Sequence, residues 1–140
     1  MNWLEQEGNA FSDLLKLRPA LQKKYVAFLQ AIEENDRVGP RIFSLCRARI
    51  EQIHLGSSDY LKAVEAEALN QGILDQFSED EQAALRVAGR IPYQYHQLED
   101  DEVAALKTAF GDAGCVSLLT ALAFFDVSCR LNLTFGKEQN

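Results

Sequence analysis

Residues 39–59 read GPRIFSLCRARIEQIHLGSSD, and their periodicity decides the fold class. Gly39-Pro40 opens a helix, since a proline in the first turn has no intrahelical partner to lose. Ile42, Leu45, Cys46, Ile50 and Ile53 then recur at helical spacing and form a buried stripe. A second, polar stripe runs beside it. Ser44, Arg47, Glu51 and His54 lie three, four and three residues apart and share one face. Gly56-Ser57-Ser58-Asp59 breaks the helix and is the expected N-cap of a following helix that runs from there to about Asn70.

The same pattern continues outward. Phe11 to Leu17 is a first amphipathic stretch, and after Pro19 comes a second with Leu21, Tyr25, Phe28, Leu29 and Ile32 on its apolar side. Glu33-Glu34-Asn35-Asp36 forms a polar linker. Gly72 ends the helix that follows Asp59, and Ser78 with Glu81 is a capping box for another, which stops near Ile91-Pro92. The acids Glu99 to Glu102 suit the positive end of a helix whose stripe is Val103, Leu106 and Phe110. Beyond Gly111-Asp112 lies the longest element, apolar almost all round and ending at Gly136. Such a helix belongs in the centre of a bundle or of a subunit interface. No stretch alternates with period two, so the reading is all-α: one domain over residues 1–140, core about 11–136, a bundle of roughly six to eight helices.

Composition limits the function. With 14 basic and 21 acidic side chains among 140 residues the net charge is −7, which argues against nucleic acid or an anionic membrane surface as partner. Cys46, Cys115 and Cys129 are odd in number and match no zinc spacing, and two histidines cannot build a histidine-rich metal site. No metal and no cofactor are therefore expected. The acidic start, Met1-Asn2-Trp3-Leu4-Glu5, does not read as a signal peptide. The apolar run Ala113 to Phe125, closed by Asp112 and Asp126, is too short to cross about 30 Å of hydrocarbon. A reduced, cytoplasmic protein is the expectation. Phosphate loops, dinucleotide fingerprints, HExxH, GxSxG and CxxC are absent from the sequence.

The polar stripe is the first candidate for chemistry. In the functional reading His54 is an acid or base and Arg47 holds an anionic ligand; spacing alone favours a solvated face with a histidine at the helix end. Asp126 and Arg130 form an i, i+4 pair in apolar surroundings, read as structural or interfacial. The three cysteines read as core residues, although Arg130 beside Cys129 is a feature that lowers a thiol pKa. Tyr93, Tyr95 and His96 make a polar-aromatic segment read mainly as packing, with covering a pocket as the alternative.

Several motifs together resemble the carboxymuconolactone decarboxylase / alkylhydroperoxidase D-like superfamily. They are Leu17-Arg18-Pro19-Ala20-Leu21, Gly39-Pro40-Arg41-Ile42 and Arg47-Ala48-Arg49-Ile50-Glu51-Gln52-Ile53-His54. In the C-terminal half, Asp101-Glu102-Val103-Ala104-Ala105-Leu106, Phe110-Gly111-Asp112-Ala113, Ala123-Phe124-Phe125-Asp126 and Arg130-Leu131 resemble its peroxidase-related branch. The resemblance implies a helical bundle that assembles into homo-oligomers, from dimer to hexamer. It also implies a redox site of a glutamate, a Cys-x-x-Cys pair and a histidine. Ser44, Ser57, Tyr60 and Val64 stand at those positions here, so thiol peroxidase activity does not carry over. Arg49, Gln52, Gly56 and Arg130 match the family pattern, with Asp126 where asparagine is common.

The resulting expectation is a non-redox member that binds a small molecule where the third helix ends and the fourth begins. Its candidate pocket is Ser44, Arg47, Arg49, His54, Ser57, Asp59 and Tyr60. One alternative is a cofactor-independent decarboxylase or isomerase of a small carboxylic acid, with His54 as acid or base and Arg47 or Arg49 as anchor. A second alternative is a thiol peroxidase using relocated cysteines, Cys129 or Cys46.

Overall fold

The computed structural model describes residues 10–94 and 98–136. Tyr95 and His96 lie outside the described residues. The order is α1 (Ala10–Leu15), α2 (Pro19–Glu33), α3 (Pro40–Leu55), α4 (Ala63–Asn70), α5 (Glu79–Gln94) and α6 (Asp100–Gly136), with no strand among the described residues. The protein is all-helical, as the periodicity predicts.

The helix α3 is central because it carries apolar side chains in two directions. Cys46 and Ile50 enter a main core with Leu29 of α2, Val87 and Ala88 of α5, and Leu106, Leu118, Leu122 and Phe125 of α6. Leu45 and Ala48 enter a second core with Leu61, Leu69, Phe77 and Leu85. Full burial of residues such as Leu45, Ile50, Leu118 and Leu122 contributes about 1.5–3 kcal/mol each. Ile53 is only half-buried. The third side of α3 is left for its polar stripe.

The helix ends follow local chemistry. Gly56 ends α3 in the left-handed region (φ 86°) and its N–H donates to the Gln52 carbonyl. Ser78 and Glu81 close their box reciprocally: the Ser78 N–H donates to Glu81 at 2.9 Å and the Glu81 N–H to Ser78 Oγ at 3.2 Å. At the start of α6, Glu102 accepts from the Glu99 N–H and pairs with Arg90 of α5. The α2–α3 linker is organised by Asn35, whose Oδ1 accepts the N–H groups of Arg37 (3.0 Å) and Val38 (2.7 Å).

Four expectations need correction. The stretch Gly56-Ser57-Ser58-Asp59 does not cap the next helix: the chain turns through a Leu61 N–H to Ser58 carbonyl bond, which carries Leu61 into the second core, and α4 starts at Ala63 after Lys62. In α2, Leu21 and Phe28 stay exposed, because Leu29 and Ile32, with the partly buried Tyr25, face the main core; the Phe28 ring centroid instead lies 4.5 Å from that of Phe124. The helix α5 passes through Pro92 to Gln94 instead of stopping at it. Finally, the length that bears on crossing a membrane is not that of the thirteen-residue run but that of its helix, because Asp126 bounds the run without ending the helix. Asp126 lies inside α6, which bends at Gly111 (φ 74°, ψ 174°) and then continues to Gly136. By length and composition α6 is the one helix among the described residues able to cross a membrane, with 39% of its most apolar window buried in the protein.

One glycine is required by packing. A Cβ at Gly114 would lie 2.7 Å from Phe110 Cβ and 2.9 Å from Arg37 Cβ, so the start of α3's approach segment crosses α6 at this position.

Candidate functional site

The polar stripe of α3 does not face open solvent. It packs against the second half of α6, and the two helices enclose a seam of alternating charge. Arg47 Nε lies 2.9 Å from Glu51 Oε1, the pair expected from i, i+4 spacing, with side chains only 12% and 23% exposed. The other Glu51 oxygen accepts from Ser58 Oγ at 3.2 Å. One turn further, His54 Nε2 lies 2.6 Å from Asp126 Oδ1 of α6, both side chains almost buried. Arg130 Nε donates to Asp126 Oδ2 at 3.1 Å, and its Nη2 donates to the Pro92 carbonyl of α5 at 2.9 Å.

A carboxylate only accepts hydrogen bonds, so neutral His54 carries its proton on Nε2 and keeps the lone pair on Nδ1. The seam extends to α2 through Tyr25, which is hydrogen-bonded to Ser128 and lies within the field of Arg47. Burial pushes the Tyr25 phenol up, against the opposing influence of Ser128 and Arg47.

Cys129 sits at the edge of the same seam, within the fields of Glu51, Arg47 and Asp126. Its thiol is not activated. Burial, with the carboxylates of Glu51 and Asp126 adding to it, pushes the pKa up to about 12 despite Arg47. The lowering expected from Arg130 does not occur because that guanidinium is directed to Asp126 and Pro92. Burial also raises the fully enclosed Cys46 thiol, and it raises Cys115. The surroundings of Cys129 and Cys46 favour the thiol over the thiolate that relocated redox chemistry would use.

The structure brings together only part of the predicted pocket. His54, Arg47 and the half-buried Ser44 share the α3 face. Arg49 points elsewhere: its Nη1 donates to Gln52 Oε1 at 2.7 Å, Gln52 Nε2 donates to the Ala66 carbonyl at 3.0 Å, and its Nε lies beside Gly89 of α5. Arg49 therefore braces α3 against α4 and α5. Ser57, Asp59 and Tyr60 are exposed. Tyr60 lies in the field of Arg41, thirteen residues before His54 on α3 and hence about 20 Å away along the helix axis. Val64 is 70% exposed. The serine that reaches the polar stripe is Ser58, not Ser57.

Asp126 and Arg130 pair as expected, but not as a buried pair, since Arg130 is 55% exposed. Their link to His54 joins residues 72 apart and has no signal in local spacing. Tyr25 and Ser128 were likewise missed, Tyr25 because it follows the apolar stripe of α2. Among the described residues no group of three or more His, Cys, Asp or Glu side chains could hold a metal ion.

Compared with known proteins, the chain matches no family model, no curated protein and no solved structure.

Proposed function

We propose that the chain is a non-redox protein of the alkylhydroperoxidase D-like type that binds a small molecule at the seam between α3 and α6. The supporting observation is the concentration of charge there. Arg47, Glu51, His54 and Asp126 are all at most one-quarter exposed in an otherwise apolar interior. Buried ion pairs add little net stability, because desolvation offsets their attraction. Charge held in an interior without a matching gain in stability makes the seam the candidate working site. The resemblance of the motifs supports the same reading, with the site moved away from Ser57 and Tyr60. The assembly is proposed to be a cytoplasmic homo-oligomer, dimer to hexamer, through the exposed face of α6.

A second reading is favoured by the 2.6 Å His54–Asp126 contact. Asp126 orients the imidazole and leaves Nδ1 as the acceptor, the arrangement of a general base. With Arg47 two turns away on the same face of α3 as the anchor, this reading is proton transfer on a small carboxylic acid, as in cofactor-independent isomerisation or decarboxylation.

The test is a thermal-shift screen of the full chain against short aliphatic and aromatic carboxylic acids. A ligand at a hundredfold its Kd stabilises by about 2.7 kcal/mol, which raises the melting temperature by several degrees. The expected result is a shift that disappears in a folded His54→Ala variant. No shift for any acid, or an equal shift in His54→Ala, overturns the proposal. Turnover of a binding acid, lost with His54, selects the second reading.

A further inference from the structure

We propose that Arg130 is a positioning residue for His54, acting through Asp126. This inference rests on His54 being the group that meets the ligand in the proposed site.

The two oxygens of Asp126 are divided between partners. Oδ1 faces His54 Nε2 at 2.6 Å and Oδ2 accepts from Arg130 Nε at 3.1 Å. Arg130 is itself anchored on a third helix, since Nη2 donates to the Pro92 carbonyl at 2.9 Å. Pro92 is in the last turn of α5, where carbonyls have no intrahelical donor, so Arg130 completes a helix end while it holds the carboxylate. An exposed i, i+4 pair contributes only about 0.3–0.5 kcal/mol, too little to fix a side chain. The second anchor makes this one different: the guanidinium spans two acceptors on two helices, which a lysine ammonium on a flexible stem does not reproduce.

The consequence falls on the imidazole. With Asp126 held, Nε2 keeps its proton toward Oδ1 and Nδ1 stays the acceptor presented to a ligand. With Arg130 removed, the carboxylate is free to turn toward water and His54 loses its fixed tautomer. The titratable and charged groups that share this environment are Arg47 and Glu51 of α3, Tyr25 of α2, and Asp126, Cys129 and Arg130 of α6.

Imidazole nitrogen–proton NMR on the full, isotopically labelled chain tests this without any ligand. His54 and His96 are the two histidines, so assignment needs one His96→Gln control. The wild-type protein should show a downfield, slowly exchanging His54 Nε2 proton that Asp126→Ala abolishes. In Arg130→Met this proton should exchange at least about tenfold faster, the cost of loosening one charge-assisted hydrogen bond. Arg130→Lys should fall in between, and Arg130→Gln gives the same readout as Met in a more polar side chain. Wild-type exchange in Arg130→Met and Arg130→Lys, with the signal lost in Asp126→Ala, overturns the proposal. A negative ligand screen does not affect this result, so the two claims fail separately.

Discussion

His54 Nε2 lies 2.6 Å from Asp126 Oδ1, and this contact fastens the end of α3 to the middle of the second half of α6. Both side chains are nearly buried, so removing either leaves the other poorly solvated. The variants His54→Ala and Asp126→Ala should each destabilise the protein by about 1–3 kcal/mol. The double variant should cost less than their sum, with a coupling of about 1–2 kcal/mol in urea denaturation. Additive single effects would show that the contact carries no interaction energy.

The second prediction concerns acid stability. Arg41 Nε donates to Glu81 Oε2 at 2.7 Å while the Ser78 N–H donates to Oε1 of the same carboxylate. Burial raises the Glu81 pKa, but the bonds from Ser78 and Arg41 together outweigh it and hold the carboxyl below its ordinary value. A carboxyl with a lower pKa in the folded state stabilises above the unfolded value, about 4.3, and loses that contribution as pH falls through the folded value. Glu81→Gln should therefore be less stable than wild type at pH 7 by about 1 kcal/mol. The difference should shrink towards zero well below pH 4. Melting temperatures across that range give the answer.

Thiol accessibility is the third. All three cysteines are buried and unpaired, and burial raises each thiol pKa. In native protein at neutral pH, a thiol reagent should label Cys46 and Cys129 only on the timescale of opening, whereas denaturant should release three thiols at once. Rapid native labelling of Cys129, or loss of two hydrogens in mass after stoichiometric peroxide, would restore the redox alternative.

Gly114→Ala separates helix propensity from packing. In an exposed helix the change gains about 1 kcal/mol. Here the added Cβ meets Phe110 and Arg37 carbon atoms inside 3.0 Å, and overpacking costs about 1–3 kcal/mol. A net loss of up to about 2 kcal/mol should appear in chemical denaturation, whereas a gain would mean that the 37–38 segment moves aside freely.

The exposed face of α6 provides the fifth. Val116 is 66% exposed and Val127 48%, and eleven residues place them on one side of the helix, three turns apart. If this face joins copies of the chain, Val116→Glu with Val127→Glu should convert the oligomer to monomer in light scattering while the helical signal persists. A wild-type monomer would remove that assembly.

Much of the fold was legible in the sequence because it depends on neighbours in the chain. The apolar stripe of α3, the Ser78–Glu81 box, the Arg47–Glu51 pair and the breaks at Gly56 and Gly111 each follow from residues within one or two helical turns. The helix start after Gly56 was misplaced for the complementary reason: Leu61 prefers a core built from Phe77 and Leu85, and no local rule contains that core.

The site divided the same way. Periodicity determined that the chain is all-helical and that Ser44, Arg47, Glu51 and His54 share a face, and composition determined its net charge of −7. Only the tertiary structure decided what that face meets. Packing α6 across α3 brings Asp126 to His54 over 72 positions, whereas the second core, built with α4 and α5, holds Leu61 and leaves Tyr60 near Arg41 and Arg49 as a brace. Helical spacing constrains contacts within a few turns, whereas pairing between distant helices is set by which apolar faces bury each other, and the polar residues follow where that burial takes them.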